Sequence, residues 1–147
     1  MNFTSGKYPF ISLLHTVGRE AFRVLDCHLS GYNITHQQAR VIWLIHGLSK
    51  RGEKVCQKDI ERATRVSGPS VTSLIQGLER KGYVSRSTSL TDDRVKELVL
   101  TEEGRKLIDI IEHVFDCAEK KISEGLNESE RAIILKFLGS VLESLRK

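Results

Sequence analysis

The sequence predicts a mainly helical fold with one small β-hairpin, an α+β arrangement within a single chain of 147 residues. Apolar residues recur at helical spacing over most of the chain, and two short strand-like segments interrupt this pattern near its middle. Only two prolines occur, Pro9 and Pro69, so long helices can run without a break. Hydrophobic residues at 39% and charged residues at 29% are typical of a globular domain.

Capping and turn residues divide the helical pattern into separate elements. Thr35 and Gln38 have the spacing of a capping box at the start of a helix, and Asn127 and Glu130 repeat this spacing near the C-terminus. Gly82 is expected to end the fourth helix. The predicted elements are helices at about 9–29, 35–48, 57–64 and 69–81, strands at about 83–88 and 95–100, and helices at about 101–124 and 127–145.

Positive charge is concentrated in the middle of the chain. The net charge is +4, and residues 50–96 contain 11 Lys and Arg against 6 Asp and Glu, whereas the rest of the chain contains 12 against 13. A basic segment of this kind favours a polyanionic partner such as nucleic acid. The nearly neutral flanks are expected to serve another purpose.

The fourth predicted helix has the two faces that a DNA-reading helix requires. Its apolar face consists of Val71, Leu74, Ile75 and Leu78. Its other face consists of small or polar residues, namely Ser70, Ser73, Gln76, Gly77 and Arg80. Such a face fits the major groove, which is roughly 12 Å wide, and reaches the base edges. Since any amphipathic helix has a polar face, this helix alone does not establish DNA binding.

The predicted hairpin strengthens the DNA-binding interpretation. Arg94 lies at its tip close to Asp92, and Arg86 and Lys96 lie on its arms. An arginine at a hairpin tip can enter the narrow minor groove, and a neighbouring carboxylate can orient its guanidinium. Two short helices followed by such a hairpin form a winged helix-turn-helix. A solvated turn is the alternative interpretation of the charged tip.

Several segments resemble one known family of proteins. They are residues 70–75, residues 78–84, Asp92-x-Arg94, residues 98–104 and Ile34-Thr35-x-x-Gln38. Residues 70–75 and 78–84 resemble the recognition helix of the MarR family of bacterial regulators. Asp92-x-Arg94 and residues 98–104 are similar to the wing of that family and to the exit from the wing into the following helix. The segment Ile34-Thr35-x-x-Gln38 is similar to the start of the family's second helix. The element order agrees over nearly the whole chain.

The resemblance implies a transcription regulator that contacts DNA through the recognition helix and the wing. Arg94 would enter the minor groove, with Asp92 as its positioning partner. The other residues expected to contact DNA are Ser67, Ser70, Ser73, Gln76, Arg80, Arg86 and Lys96. Ser73 stands where many members have arginine, so one contact common in the family is expected to be absent. Cys56 stands where a Ser or Thr cap is usual, which predicts a loosely started third helix.

The terminal helices have more apolar surface than one winged-helix core can cover. Pairing of Phe10, Leu13, Leu14 and Val17 with a second chain would bury this surface and set two recognition helices about one DNA turn apart. The resemblance implies the same homodimer on a palindromic duplex operator. Within one chain of residues 1–147, we therefore predict a DNA-binding lobe at 35–101 and dimerisation helices at 7–31 and 102–147.

Three kinds of effector remain open. The resemblance implies a repressor controlled between the dimerisation helices and the DNA-binding lobes, most commonly by a small aromatic or phenolic ligand. A metal ion is the second kind, and the candidate ligands are Cys27, His28, His36, His113 and Cys117. Oxidation of a cysteine is the third, although Cys27 lies at the end of the first helix, where the resemblance does not place a reactive thiol.

Other classes of protein have little support in the sequence. A Gly-rich phosphate loop, a nucleophile elbow and an HExxH motif are all absent, which argues against an enzyme, and no cofactor is expected. The three cysteines form no CxxC pair, which argues against a disulfide framework. No membrane partner is expected, and a cytoplasmic location is predicted. A winged helix that contacts proteins is the remaining alternative, and the central basic charge disfavours it.

Overall fold

A computed structural model describes residues 6–88 and 94–147 and has the predicted order of elements. A 3₁₀ turn at Ser30–Tyr32 follows the first helix. The elements are α1 (Pro9–Leu29), α2 (His36–Lys50), α3 (Gln57–Thr64), α4 (Gly68–Arg80), β1 (Val84–Thr88), β2 (Lys96–Leu100), α5 (Glu102–Lys106), α6 (Ile108–Ile122) and α7 (Glu128–Leu145).

Local side-chain contacts explain where several helices begin and end. The hydroxyl of Thr35 accepts a hydrogen bond from the Gln38 amide at 3.2 Å, and the Gln38 side chain accepts one from the Thr35 amide at 3.3 Å. Asn127 and Glu130 form the second predicted capping box, with both distances at 2.9 Å. Gly82 follows α4 with a φ of 76°, which glycine adopts without a steric penalty. The predicted caps are confirmed.

The start of α3 is better capped than the sequence indicates. The Asp59 carboxylate accepts a hydrogen bond from the Cys56 amide at 2.9 Å, so the third residue of the helix secures its first turn. This backbone hydrogen bond lowers the pKa of the Asp59 carboxyl, because it stabilises the charged form. The expectation of a loose start at Cys56 is therefore wrong.

The helix predicted to follow the hairpin is divided in two. Thr101 caps α5 by accepting a hydrogen bond from the Gly104 amide at 3.0 Å, as predicted. The Leu107 amide then donates to the Gly104 carbonyl at 3.2 Å, only three residues back, which tightens the turn and separates α5 from α6. Leu107 is buried at this break, so its side chain packs in the core.

The hydrophobic core lies where α2, α3, α4, α6 and the hairpin meet. Its most deeply buried side chains are Leu29, Val41, Ile42, Ile45, Val55, Ile60, Val71, Ile75, Leu78, Leu98 and Ile111. Helix α7 contributes no buried residue to it. Over the described ranges 6–88 and 94–147, none of the helices combines the length and apolar character that crossing a bilayer requires.

The hairpin is an antiparallel pair whose inner face rests on the core. In this antiparallel register Val84 pairs with Leu100, and Arg86 pairs with Leu98. The side chains of Val84, Leu98 and Leu100 are buried. The Leu98 amide also donates to the Val55 carbonyl at 2.7 Å, just before α3. The base of the hairpin is thereby attached to the helical lobe that carries α4.

Candidate nucleic-acid interface

Helix α4 presents one apolar face to the core and one polar face to solvent. Val71, Ile75 and Leu78 are buried, and Leu74 is partly buried against the same core. From Ser67 to the end of α4, the exposed polar residues are Ser67, Ser70, Ser73, Gln76 and Arg80. Gly77 departs from the prediction, since it is buried rather than exposed. A Cβ atom there would lie 2.8 Å from the Gln38 side-chain nitrogen, so the close approach of α2 requires glycine.

Hydrogen bonds from α3 hold α4 in place. The Gln57 side-chain amide donates to the Thr72 hydroxyl at 2.8 Å and to the Glu61 carboxylate at 2.9 Å. The Thr72 hydroxyl in turn donates to the Gly68 carbonyl at 3.0 Å. The hydrogen bond between Gln57 and Thr72 joins α3 to α4, while the polar face of α4 stays exposed and open to a ligand.

The first turn of α4 has no side-chain cap. Ser67 is its N-cap residue, yet the Ser67 hydroxyl donates to the Ser70 hydroxyl at 2.9 Å and makes no side-chain capping bond. The backbone amides of Gly68 and Ser70 therefore donate no hydrogen bond to a capping side chain, and Pro69 between them has no N–H. Amides at a helix N-terminus, together with the helix dipole, bind phosphate groups readily.

A basic groove of about 600 Å³ lies between the start of α3 and the hairpin. Its charged lining residues are Lys58, Glu61, Arg86, Arg94 and Lys96. Arg94 and Lys96 are exposed, whereas Arg86 is half-buried on the inner face of the hairpin. Sequence analysis missed Lys58, although its place in the first turn of the helix before the recognition helix was a usable signal. Asp92, the predicted partner of Arg94, lies outside the described residues.

A second depression, of about 530 Å³, lies between the start of α2 and α4. Its lining includes three of the predicted residues, Ser70, Ser73 and Arg80. Thr35 and Gln37 line it as well and were not predicted as site residues. The two concave surfaces and the polar face of α4 thus bring together small hydroxyls, amides and cations, which is the chemistry that phosphates and base edges require.

Two of the five candidate metal ligands, His28 and His36, form hydrogen bonds with groups outside the candidate set. His36 Nδ1 lies 3.0 Å from the Asp26 carboxylate, and His28 Nδ1 lies 2.8 Å from the Val24 carbonyl. His113 Nε2 and Cys117 Sγ are 3.6 Å apart on α6. In the part of the chain that the structure describes, no three His, Cys, Asp or Glu side chains form a group that could hold a metal ion.

Comparisons with known proteins agree with this geometry. Residues 32–94 match the model of the MarR family. The HTH-type transcriptional repressor YetL of Bacillus subtilis (strain 168) is 20% identical over 144 residues, which cover 98% of this chain and 85% of that protein. The S. aureus MepR–DNA complex is 27% identical with a TM-score of 0.85, and the match covers 96% of this chain and 99% of that one.

A mutant MarR from E. coli, complexed with operator DNA, shares the fold. It has a TM-score of 0.82 at 22% identity, and the match covers 94% of this chain and 99% of that one. The winged-helix arrangement predicted from the sequence is confirmed by these structures. Residues 32–94 therefore resemble the MarR family, and nearly the whole chain has the fold of solved MarR-family structures, two of which are bound to DNA.

Proposed function

We propose that this regulator binds a palindromic duplex operator as a homodimer and represses transcription until an effector binds. The observation that carries the proposal is the exposed polar face of α4, flanked by the basic groove of the hairpin. The 35–101 segment would be the DNA-binding lobe, and residues 7–31 and 102–147 would form the dimer. Repression is supported by the name of the Bacillus subtilis relative.

Base reading is assigned to the exposed residues of α4. Arg80 and Gln76 have the donor geometry for guanine and adenine edges, respectively, and the hydroxyls of Ser70 and Ser73 suit either base or phosphate. Ser67 at the N-terminus of α4 would place a phosphate against free backbone amides. Because Ser73 is short, it specifies its base pair less strongly than an arginine would.

The hairpin would supply the second set of contacts. Arg94 is assigned to the minor groove, where the negative potential attracts a guanidinium. Lys96 and Lys58 would neutralise phosphates beside the basic groove, a contribution that salt weakens because bound counterions are released from DNA. The role of Asp92 in orienting Arg94 is part of this proposal.

A second copy of the chain is the proposed cover for the terminal helices. Phe10 and Phe137 have ring centroids 6.2 Å apart, so the N-terminal part of α1 and helix α7 present one shared apolar surface. Phe10, Ile11, Val17, Ile133, Leu135 and Phe137 are all exposed in the isolated chain. Soluble monomers rarely expose an apolar area of this kind, whereas pairing across a two-fold axis removes it from water.

The effector is assigned to a cleft between α2 and α6. The cleft has a volume of about 590 Å³ and is lined by Arg40, Trp43, Ile111, Glu112, Phe115 and Asp116. Two aromatic rings and one isoleucine provide a surface for a small aromatic molecule, and the charged residues at its edge would orient polar substituents. Trp43 is the only tryptophan in the chain, so a ligand bound in this cleft should change the protein's tryptophan fluorescence.

The DNA-binding test starts from a random duplex pool, because the operator is not assumed. Duplexes retained by the protein are sequenced, and binding to the enriched duplex is measured by fluorescence anisotropy at several salt concentrations. We expect enrichment of an inverted repeat and a log–log salt dependence with a steep negative slope. Failure to enrich any duplex, or binding that ignores salt, would overturn the proposal.

The effector and the sign of regulation need separate measurements. Titration with a hydroxybenzoate should change Trp43 fluorescence and release the enriched duplex, and Phe115→Ala should weaken both effects. Unchanged fluorescence across a panel of aromatic acids, phenols and amines would contradict the assignment of the cleft. A promoter carrying the enriched repeat should be less active when the protein is present, and an increase would make the protein an activator.

A further inference from the structure

The side chain of Lys81, directly after α4, contacts a distant part of the chain. Its ammonium group donates to the Asn33 carbonyl at 2.6 Å and to the Gln38 side-chain oxygen at 2.9 Å. Asn33 lies in the turn after α1, and Gln38 lies in the first turn of α2. Two of the three hydrogen-bond donors of the ammonium group are therefore used inside the protein.

Gln38 is the centre of this contact. Only 8% of its surface is exposed, and its side-chain oxygen also accepts the Thr35 amide in the capping box of α2. A Cβ atom at position 77 would lie 2.8 Å from the side-chain nitrogen of Gln38. Because residue 77 is glycine, α4 can lie directly against the Gln38 side chain.

The start of α2 is also attached to α1. The Asp26 carboxylate accepts hydrogen bonds from the His36 amide at 2.6 Å and from the His36 ring nitrogen at 3.0 Å. The Phe22 ring stacks on the His36 ring, with centroids 4.4 Å apart and an angle of 4° between the planes. The end of α1, the start of α2 and the end of α4 are thus joined by consecutive polar and ring contacts.

We propose that Lys81 and Gln38 are positioning residues for DNA reading, which hold α4 at the angle that its base contacts require. This inference rests on the proposed operator binding and assigns Lys81 a role other than neutralising a phosphate. The physical reason is that its ammonium group is shared between two oxygens of the α1–α2 junction. Movement of the end of α1 would therefore be transmitted to the end of α4.

The test compares Lys81→Met with Lys96→Met, a lysine that the proposed function places on phosphate. Anisotropy is measured over a range of salt concentrations on the enriched duplex and on a scrambled duplex. Lys81→Met should weaken binding to the enriched duplex about tenfold, the scale of a lost base-pair contact, while scrambled-duplex binding and the salt slope stay unchanged. Lys96→Met should weaken both duplexes and reduce the slope by about one.

Two further variants separate positioning from a general loss of folding. Gly77→Ala keeps every charge and displaces Gln38, so it should reproduce the specificity loss of Lys81→Met with an unchanged slope. In a Gln38→Leu background, Lys81→Met should have a smaller effect than in the native chain, because the two residues act together. Circular dichroism melts restrict the comparison to temperatures at which each variant is folded.

The outcomes distinguish this inference from the proposed function. If the native chain enriches no duplex, operator binding itself fails. If it does and Lys81→Met reduces the salt slope as Lys96→Met does, Lys81 is a phosphate contact and the inference is overturned. Unchanged binding of both Lys81→Met and Gly77→Ala to the enriched duplex would overturn it as well.

Discussion

The Arg86 guanidinium donates a hydrogen bond to the Glu79 carboxylate at 3.1 Å and thereby joins β1 to helix α4. Both side chains are only partly exposed, at 26% for Arg86 and 31% for Glu79. This ion pair connects the two parts of the candidate interface, the recognition helix and the hairpin. It also means that Arg86 reaches DNA only in competition with Glu79.

Replacing Glu79 with glutamine should loosen this connection. We expect Glu79→Gln to strengthen binding to scrambled duplex and to steepen the salt slope by up to about one, because Arg86 becomes available to a phosphate. The free energy of unfolding should fall by about 1 kcal/mol or less. Anisotropy and urea unfolding measure the two effects, with the exposed Glu103→Gln as the matched control. Unchanged scrambled-duplex binding by Glu79→Gln would show that Arg86 stays inside the lobe.

Arg94 is the hairpin residue expected to matter most for binding. Arg94→Ala should weaken binding to the enriched duplex by about 1–3 kcal/mol, since the negative potential of the minor groove stabilises a guanidinium placed there. Arg51→Ala, at the end of α2 and away from the basic groove, removes the same charge and serves as control. If anisotropy shows that both variants lose the same binding free energy for the enriched duplex, Arg94 contributes only general charge attraction.

Gly104 allows the start of α5 to lie close to Tyr83, the residue just before β1. A Cβ atom there would collide with the Tyr83 backbone carbonyl, whose oxygen also accepts the Thr101 amide at 3.1 Å. Gly104→Ala should therefore lower the free energy of unfolding by about 1–3 kcal/mol in urea titrations.

Gly47 provides the matched control for this prediction. A Cβ atom at Gly47 meets nothing within 4 Å, and the residue lies inside α2. Gly47→Ala should stabilise the protein by about 0.5–1 kcal/mol, because alanine loses less conformational entropy in a helix. If both substitutions stabilise the fold, the contact between Gly104 and Tyr83 is not a steric constraint.

Phe137 is central to the proposed dimer surface. Its ring meets Phe10 and remains half exposed, at 49%, in the isolated chain. Phe137→Glu should place an unpaired charge in the interface and shift the sedimenting species from twice the chain mass towards 16.6 kDa. Lys136→Glu, the neighbouring exposed position, should leave the dimer intact. A native chain that sediments as a monomer at micromolar concentration would contradict the proposed dimer.

Asp59 makes a pH-dependent contribution to stability. Its pKa in the folded protein lies below the ordinary value of 3.8, chiefly through the hydrogen bond from the Cys56 amide. A lowered carboxyl pKa stabilises the fold above the ordinary value, and this contribution is lost as the pH falls through the folded pKa. Asp59→Asn should cost about 1 kcal/mol at pH 7 and progressively less below about pH 4.

Urea unfolding at pH 7 and pH 3 checks this dependence, with the exposed Asp109→Asn of α6 as control. The stability difference between the native chain and Asp59→Asn should shrink on acidification, whereas a constant difference would mean that the charge on Asp59 contributes nothing. Asp109→Asn removes a carboxylate from the first turn of α6, a helix whose start has no side-chain capping hydrogen bond, and so controls for the loss of a charge alone.

The sequence by itself determined the order of the elements apart from the break between α5 and α6, the caps of α2, α5 and α7, and the position of the hairpin. These features depend on contacts three or four residues apart, such as Thr35 with Gln38 and Asn127 with Glu130, so the local pattern is sufficient to predict them. The polar face of α4 could be read in the same way from helical periodicity.

Only the tertiary structure decided what distant segments do to one another. Gly77 is buried because Gln38 of α2 lies against it, and no periodicity within α4 contains that information. Lys81 reaches Asn33 across 48 positions of sequence, and Arg86 pairs with Glu79 because the hairpin folds back on α4. Such contacts depend on how whole elements pack, and a helix pattern predicts only which of its faces is apolar.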